Sequence, residues 1–220
     1  MNKINYYLNQ YQLTFPNEVL SKFYLKTFNP LEPILISGNE MNGFYLLVEG
    51  KYAVTTLEVT GKQLLLRFCS PLSILGDIEW FQKVSIQSDV IAESFCVFVV
   101  IPFEVYVSDL LQHIEFNQML LKDLSYKLKT CTIASRVNTL ASVETRFAAY
   151  LCTVRSETSY GKQIFTTKLH EMASLIGTTS RHLNRVVKKW SEAEIISRSD
   201  DGILINDWVE IERLSENIRY

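Results

Sequence analysis

The side chains with the most evident chemistry are gathered in LIGTTSRHLNRVVKKW, residues 175–190, where Arg181, His182, Asn184, Arg185, Lys188 and Lys189 crowd a single stretch. Leu183, Val186, Val187 and Trp190 keep helical spacing on one face, so the basic and amide groups turn to the other. Thr179 is placed to cap this helix, which puts Ser180 and Arg181 in its first turn. Guanidinium forks at such positions match guanine O6 and N7, each contact contributing about 1–3 kcal/mol of discrimination. Lysines further along suit phosphate. Arg181 and Arg185 are also an i,i+4 like-charge pair, unfavourable by a few tenths of a kcal/mol in an isolated helix, and Arg181 opposes the helix dipole. A helix selected for stability alone would not carry them. Thr179, Ser180, Arg181, His182, Asn184, Arg185, Lys188 and Lys189 are therefore the candidate contacts to double-stranded DNA. The plainer alternative is a solvated helix in an ordinary helical hairpin.

The flanking elements decide between the two. Upstream, TKLHEMASLI places Leu169, Met172, Ala173 and Ile176 on one helical face, with Thr167 available as cap, and Gly177 ends it. Downstream, IISRSDDGILIND is two β-rich runs joined by Asp200-Asp201-Gly202, a hairpin signal. Helix, glycine turn, helix and hairpin is the order of a winged helix-turn-helix. A further helix is expected over 142–154 with Ser142 as cap, followed by the polar loop RSETSYGKQ.

The first half reads differently. From 23 to 101, short apolar or alternating runs are separated by turn signals at Glu49-Gly50, Gly61-Lys62, Pro71 and Pro102, the pattern of an antiparallel β barrel or sandwich. Residues 103–137 then lack Gly and Pro, and Leu121, Leu124, Leu128, Cys131, Ser135 and Asn138 follow 3,4 spacing on a long helix. Two readings of this stripe stay open on spacing alone: a seam with a second copy, or docking on the barrel of the same chain.

Composition bounds the function. A chain of 220 residues, 47% hydrophobic and 21% charged, builds one or two globular domains. Charge is uneven: residues 1–115 hold 7 Lys/Arg against 12 Asp/Glu, whereas residues 116–220 hold 15 against 12, so only the second half attracts phosphate. No apolar run spans a bilayer and the N-terminus is too polar for a signal peptide, so a cytoplasmic protein without membrane contact is expected. Cys69, Cys96, Cys131 and Cys152 form no CxxC pair and are expected to be reduced core thiols. A barrel metal enzyme needs two or three histidines, and the first is His113. No catalytic residue, metal or cofactor is expected.

With these residues in view, the chain resembles the CRP/FNR family of bacterial transcription regulators. Glu171, Met172, Ala173, Ile176, Gly177, Thr179, Leu183, Arg185, Val187 and Lys188 match the family's helix-turn-helix pattern, and FYLLVEGKYAVTTLEVTGKQLLLRFCSPLSILGDIEWF is similar to its barrel signature. The resemblance runs from about residue 20 to 205. It implies an α+β chain: an N-terminal antiparallel β barrel (a jelly roll like a cyclic-nucleotide-binding domain) over 1–109, a dimerisation helix over 110–138, and a winged helix-turn-helix DNA-binding domain over 139–220. It also implies a homodimer joined through Leu121, Leu124, Leu128 and Cys131, a hinge near Asn138 to Ala141, and, in an activator, RNA polymerase contact through a loop such as Arg155 to Lys162.

The family's effector cassette corresponds here to Gly76, Asp77, Gln87 and Ser88. Gln87 replaces the arginine that grips a cyclic-nucleotide phosphate, and an amide cannot supply that charge-assisted fork. Asp77 is one methylene short of the usual glutamate. Cyclic AMP is therefore not the expected effector, and Ile74, Ile78, Trp80, Phe81 and Ile86 are expected to fill the cassette. There are no closely spaced N-terminal cysteines for an iron-sulfur cluster. His113, the sole geometric candidate for haem, is expected to be an exposed helical side chain. A protein-interaction module that has lost DNA binding is the competing function, against which stand the retained Gly177, Thr179, Arg181 and Arg185.

Overall fold

The computed structural model describes residues 3–10, 12–57, 63–155, 169–199 and 202–218. Its chain divides into two compact units, one holding residues up to Leu128 except Gln63–Leu65, the other Lys129–Tyr220 together with Gln63–Leu65.

The first unit begins with two helices, α1 (Lys3–Gln10) and α2 (Asn17–Leu20). Strands β1 (Tyr24–Phe28), β2 (Pro33–Leu35), β3 (Gly43–Glu49), β4 (Tyr52–Leu57), β5 (Gln63–Cys69) and β6 (Ile74–Leu75) follow. A short helix, α3 (Asp77–Gln82), precedes β7 (Asp89–Ala92) and β8 (Cys96–Pro102). The strands form two four-stranded sheets, ordered β1-β8-β3-β6 and β2-β7-β4-β5. The expected barrel is thus a pair of sheets sharing a core, not one closed cylinder.

The alternation of side chains along a strand explains which segments sit where. From β3 and β8, Tyr45, Leu47, Phe98 and Val100 join Ile34, Tyr52, Val90 and Ala92 of the second sheet in one core. Their neighbours Phe44, Leu46, Val99 and Ile101 point the other way, into a core shared with Leu8, Leu20, Tyr106, Phe116 and Leu120. Both faces of these central strands are covered, which is why FYLLV and CVFVVI are unbroken apolar runs rather than alternating ones. Each fully buried Phe, Leu or Val contributes about 1.5–3 kcal/mol.

The long helix expected over 110–138 begins slightly later, and the glycine- and proline-free stretch after Pro102 is not one continuous helix. A short helix, α4 (Phe103–Val105), runs into a π-helical turn, Tyr106–Leu110, and the long helix α5 spans Ile114–Leu140. Its cap is His113, whose Nδ1 accepts the N–H of Phe116 at 3.3 Å while the ring lies 5.2 Å from Phe15. The histidine is half-buried and capping, not an exposed helical side chain. Phe116 and Leu120 anchor α5 to the first core. The stripe expected on this helix faces elsewhere: Leu121 and Leu128 are 64% and 70% exposed, Cys131 is exposed and Leu124 is half-buried. Docking on the chain's own sheets is therefore not the role of Leu121 and Leu128. Cys69, Cys96 and Cys152 are core thiols as expected, Cys131 is not, and burial pushes the Cys69 thiol up to about 11.

The second unit contains α6 (Val143–Arg155), α7 (Leu169–Leu175), α8 (Ser180–Glu192), the hairpin β9 (Ile196–Ser199) and β10 (Gly202–Ile205), and α9 (Trp208–Leu214). Ser142 caps α6 as expected, its Oγ accepting the Thr145 N–H at 3.0 Å. The expected turns at Gly61-Lys62 and Asp200-Asp201, the cap Thr167 and residues 156–163 of the loop fall outside the described residues. No helix among the described residues is long and apolar enough to cross a membrane.

Candidate nucleic-acid interface

Helix α8 separates its two faces cleanly. Leu183, Val187 and Trp190 are fully buried and Val186 nearly so, whereas Arg181, His182, Asn184, Arg185, Lys188 and Lys189 are exposed. Trp190 stacks on Phe147 of α6 with ring centroids 5.1 Å apart. Thr179 is the cap, in extended backbone, its side chain accepting the His182 N–H at 3.3 Å. Ser180 is half-buried at the first helical position. At about 100° per residue, Arg181, Arg185 and Lys188 share the centre of the outer face. Lys189 and His182 lie on one flank and Asn184 on the other.

The turn before α8 is held from α6. Gly177 adopts φ +63°, a left-handed conformation natural to glycine after a helix. The buried Arg146 guanidinium donates to the carbonyls of Ile176 and Gly177 at 2.7 and 3.1 Å. Glu144, two residues earlier on α6, accepts from Lys189 Nζ at 2.9 Å and from Trp190 Nε1 at 2.7 Å. Burial alone would raise the Glu144 carboxyl, but these donors outweigh it and hold the group below its ordinary value. Helix α6 thus grips the recognition segment at the turn and again near its C-terminal end.

These partners sort the predicted contacts. No hydrogen bond or ion pair ties Arg181 or Arg185 to another described residue, so both guanidinium groups are available to a ligand. Lys188 lies 3.7 Å from Glu192 in an exposed i,i+4 pair that contributes little. Lys189 is engaged by Glu144 and is the least available of the predicted cations. Asn184 accepts from Arg198 of β9, Nη2 to Oδ1 at 3.1 Å. Arg146, Glu144 and Arg198 were not among the predicted site residues. Arg146 and Glu144 act across long sequence separations that a linear pattern does not reveal, but Arg198 was visible as a basic residue on the predicted hairpin.

The cassette is rebuilt around a different partner. Gly76, at φ +94°, caps α3, and a Cβ there would sit 2.5 Å from the Gly43 carbonyl oxygen. Asp77 is 2% exposed and accepts from Lys127 Nζ of α5 at 2.8 and 2.7 Å. Lys127 also donates to the Ile74 carbonyl at 2.6 Å and pairs with Asp123 at 2.9 Å. Gln87 is exposed and its amide donates to the Ser85 carbonyl at 2.7 Å, and Ser88 is half-buried. Of the residues expected to fill the cassette, Ile74 and Ile86 are buried and Trp80 packs against Phe44 and Phe103, but Ile78 and Phe81 are 44% and 49% exposed. They point outward because α3, one and a half turns long, has a single inner face.

Comparison with known proteins agrees with this geometry. The cyclic nucleotide-binding domain family matches residues 25–112 and the Crp-like helix-turn-helix domain family matches residues 145–214. No curated protein matches the sequence. Among solved structures, a CRP-family transcriptional regulator from Thermus thermophilus is 19% identical, with TM-score 0.70 over 89% of this chain and 98% of its own. A CRP/FNR-family regulator from the same organism is 18% identical, with TM-score 0.72 over 88% and 99%. The c-di-GMP responsive global regulator CLP of Xanthomonas campestris is 15% identical, with TM-score 0.74 over 86% and 96%. At these identities the structures speak for the fold alone; the two domain matches, in this order, carry the assignment. The chain belongs to the CRP/FNR family of DNA-binding transcription regulators.

Proposed function

We propose that the protein acts as a homodimer on a pseudo-palindromic operator in the cytoplasm, each subunit laying α8 in the major groove of one half-site, and that cyclic AMP is not its effector. The observation that carries the reading is the outer face of α8, where Arg181 and Arg185 stand exposed beside Lys188 and are engaged by no other described residue. Two such helices double a charge that is small in one chain. The exposed Leu121 and Leu128 on α5, with Leu124 and Cys131, are the proposed dimer contact. The proposed organisation is a sensor unit over 1–109, a dimerisation element over 110–138 and a DNA-binding unit over 139–220. In an activator, residues 155–162 are the proposed contact to RNA polymerase. Control then rests on an effector of other chemistry or on none, because Asp77 is paired with Lys127 and Gln87 offers no phosphate fork.

Selection of bound fragments from genomic DNA tests this reading. Two-fold related half-sites are expected, and Arg181→Ala relaxes preference at one base pair of each. Failure to retain any fragment at low salt favours an interaction module without DNA binding.

A further inference from the structure

Asn184 lies on the flank of α8 that faces the wing, and Arg198 reaches it from β9. Resting on the reading that α8 enters the major groove, we infer that Arg198 sets the polarity of Asn184 and so makes the pair a reader of guanine rather than adenine. An arginine has only donors, so the Asn184 atom facing it is the amide oxygen. Asparagine recognises adenine with both ends of its amide, accepting from N6 and donating to N7. Here the accepting end is occupied. Its second lone pair remains, but the adjacent guanidinium disfavours a further donor approaching on that side. What remains for a base is the amide N–H pair together with the Arg198 donors not used in that bond, an all-donor set. Guanine, with acceptors at both O6 and N7, is the base that complements it.

The wing is a firm support for this role. Arg198 pairs with Ile203 and shares its face of the hairpin with Ile196. Both isoleucines are buried, at 9% and 1% exposure. The exposed hydrogen bond adds little stability of its own, so its consequence lies in orientation.

The test is selection of operator sequences from a random library by the full chain. Wild type is expected to enrich guanine at one pair per half-site, identified as the pair whose preference Asn184→Ala abolishes. Arg198→Ala frees the amide oxygen and lowers the guanine-over-adenine preference there by about tenfold, leaving the other pairs unchanged. Arg198→Lys, also donor-only, keeps guanine, and Arg198→Ala in an Asn184→Ala background changes no base preference. Adenine at that pair in wild type, or a uniform loss of affinity in Arg198→Ala with preferences intact, overturns the inference and leaves Arg198 a phosphate contact. If wild type selects no sequence while remaining folded by circular dichroism, the DNA-binding reading itself fails, a result distinct from either.

Discussion

Lys127 and Asp77, fifty positions apart, meet at 2.7 Å with side chains 12% and 3% exposed. The carboxylate expected from the sequence to belong to an effector cassette is thereby bound to the long helix of its own chain. Asp123, one turn from Lys127 on α5, makes the group a buried triad of two carboxylates and one ammonium.

Removal of the ammonium should be costly. Burial pushes the Asp123 carboxyl up even with Lys127 beside it, and burial works against the Lys127 charge, but the two carboxylates outweigh it and hold Lys127 above its ordinary value. Its contribution is present below the unfolded lysine pKa and is lost as pH rises through the higher folded one. Lys127→Met is expected to destabilise the protein by about 3–5 kcal/mol at neutral pH in urea unfolding. The deficit should shrink as pH falls through the raised carboxyl range, since protonation then removes the unpaired charge. A deficit independent of pH would mean that packing, not charge, was lost.

Cyclic AMP should leave the protein unaffected. A ligand at a hundred times its dissociation constant stabilises the native state by about 2.7 kcal/mol, enough to move Tm by several degrees. With Asp77 engaged by Lys127 and Gln87 bonded to Ser85, no shift is expected in a thermal scan with millimolar cyclic AMP. A clear rise in Tm would count against the paired cassette.

Arg146 is expected to act on the DNA-binding unit without touching DNA. Its bonds to the Ile176 and Gly177 carbonyls are charge-assisted, the first buried and the second partly so, so Arg146→Met should cost about 3 kcal/mol. Binding should weaken alike for all sequences in fluorescence anisotropy, because the turn that aims α8 loses its support. A change of base preference would instead make Arg146 a contact residue.

The neighbouring lysines should behave unequally. Lys188→Ala is expected to reduce affinity for every sequence and to lower the salt slope by about one. Lys189→Ala should do less, since Glu144 already holds that ammonium at 2.9 Å. Salt-dependent binding isotherms decide, and equal slopes for the two variants would refute the distinction.

Leu121 and Leu128 provide the check on assembly. Both are exposed in the single chain, so Leu121→Glu with Leu128→Glu should alter the fold of one subunit little. Sedimentation velocity is expected to move from dimer to monomer, with operator affinity falling in step. A variant that remains dimeric would place the interface elsewhere.

Much of this molecule was legible in the linear sequence because the signals are local. The Thr179 cap, the turn at Gly177, the apolar spacing of Leu183, Val186, Val187 and Trp190, and the paired strands around residues 200–201 each depend on neighbours a few positions away. Unbroken runs such as CVFVVI likewise announced strands, with barrel and sandwich both open, and the structure decided for two sheets sharing a core, with helices over the far face of β3 and β8. What tertiary structure decided is the set of partners. Asp77 with Lys127, Arg146 with the Gly177 turn, Glu144 with Lys189 and Arg198 with Asn184 join residues 14 to 50 positions apart. An ion pair or hydrogen bond has no periodicity along the chain and exists only once folding brings its ends within about 3 Å.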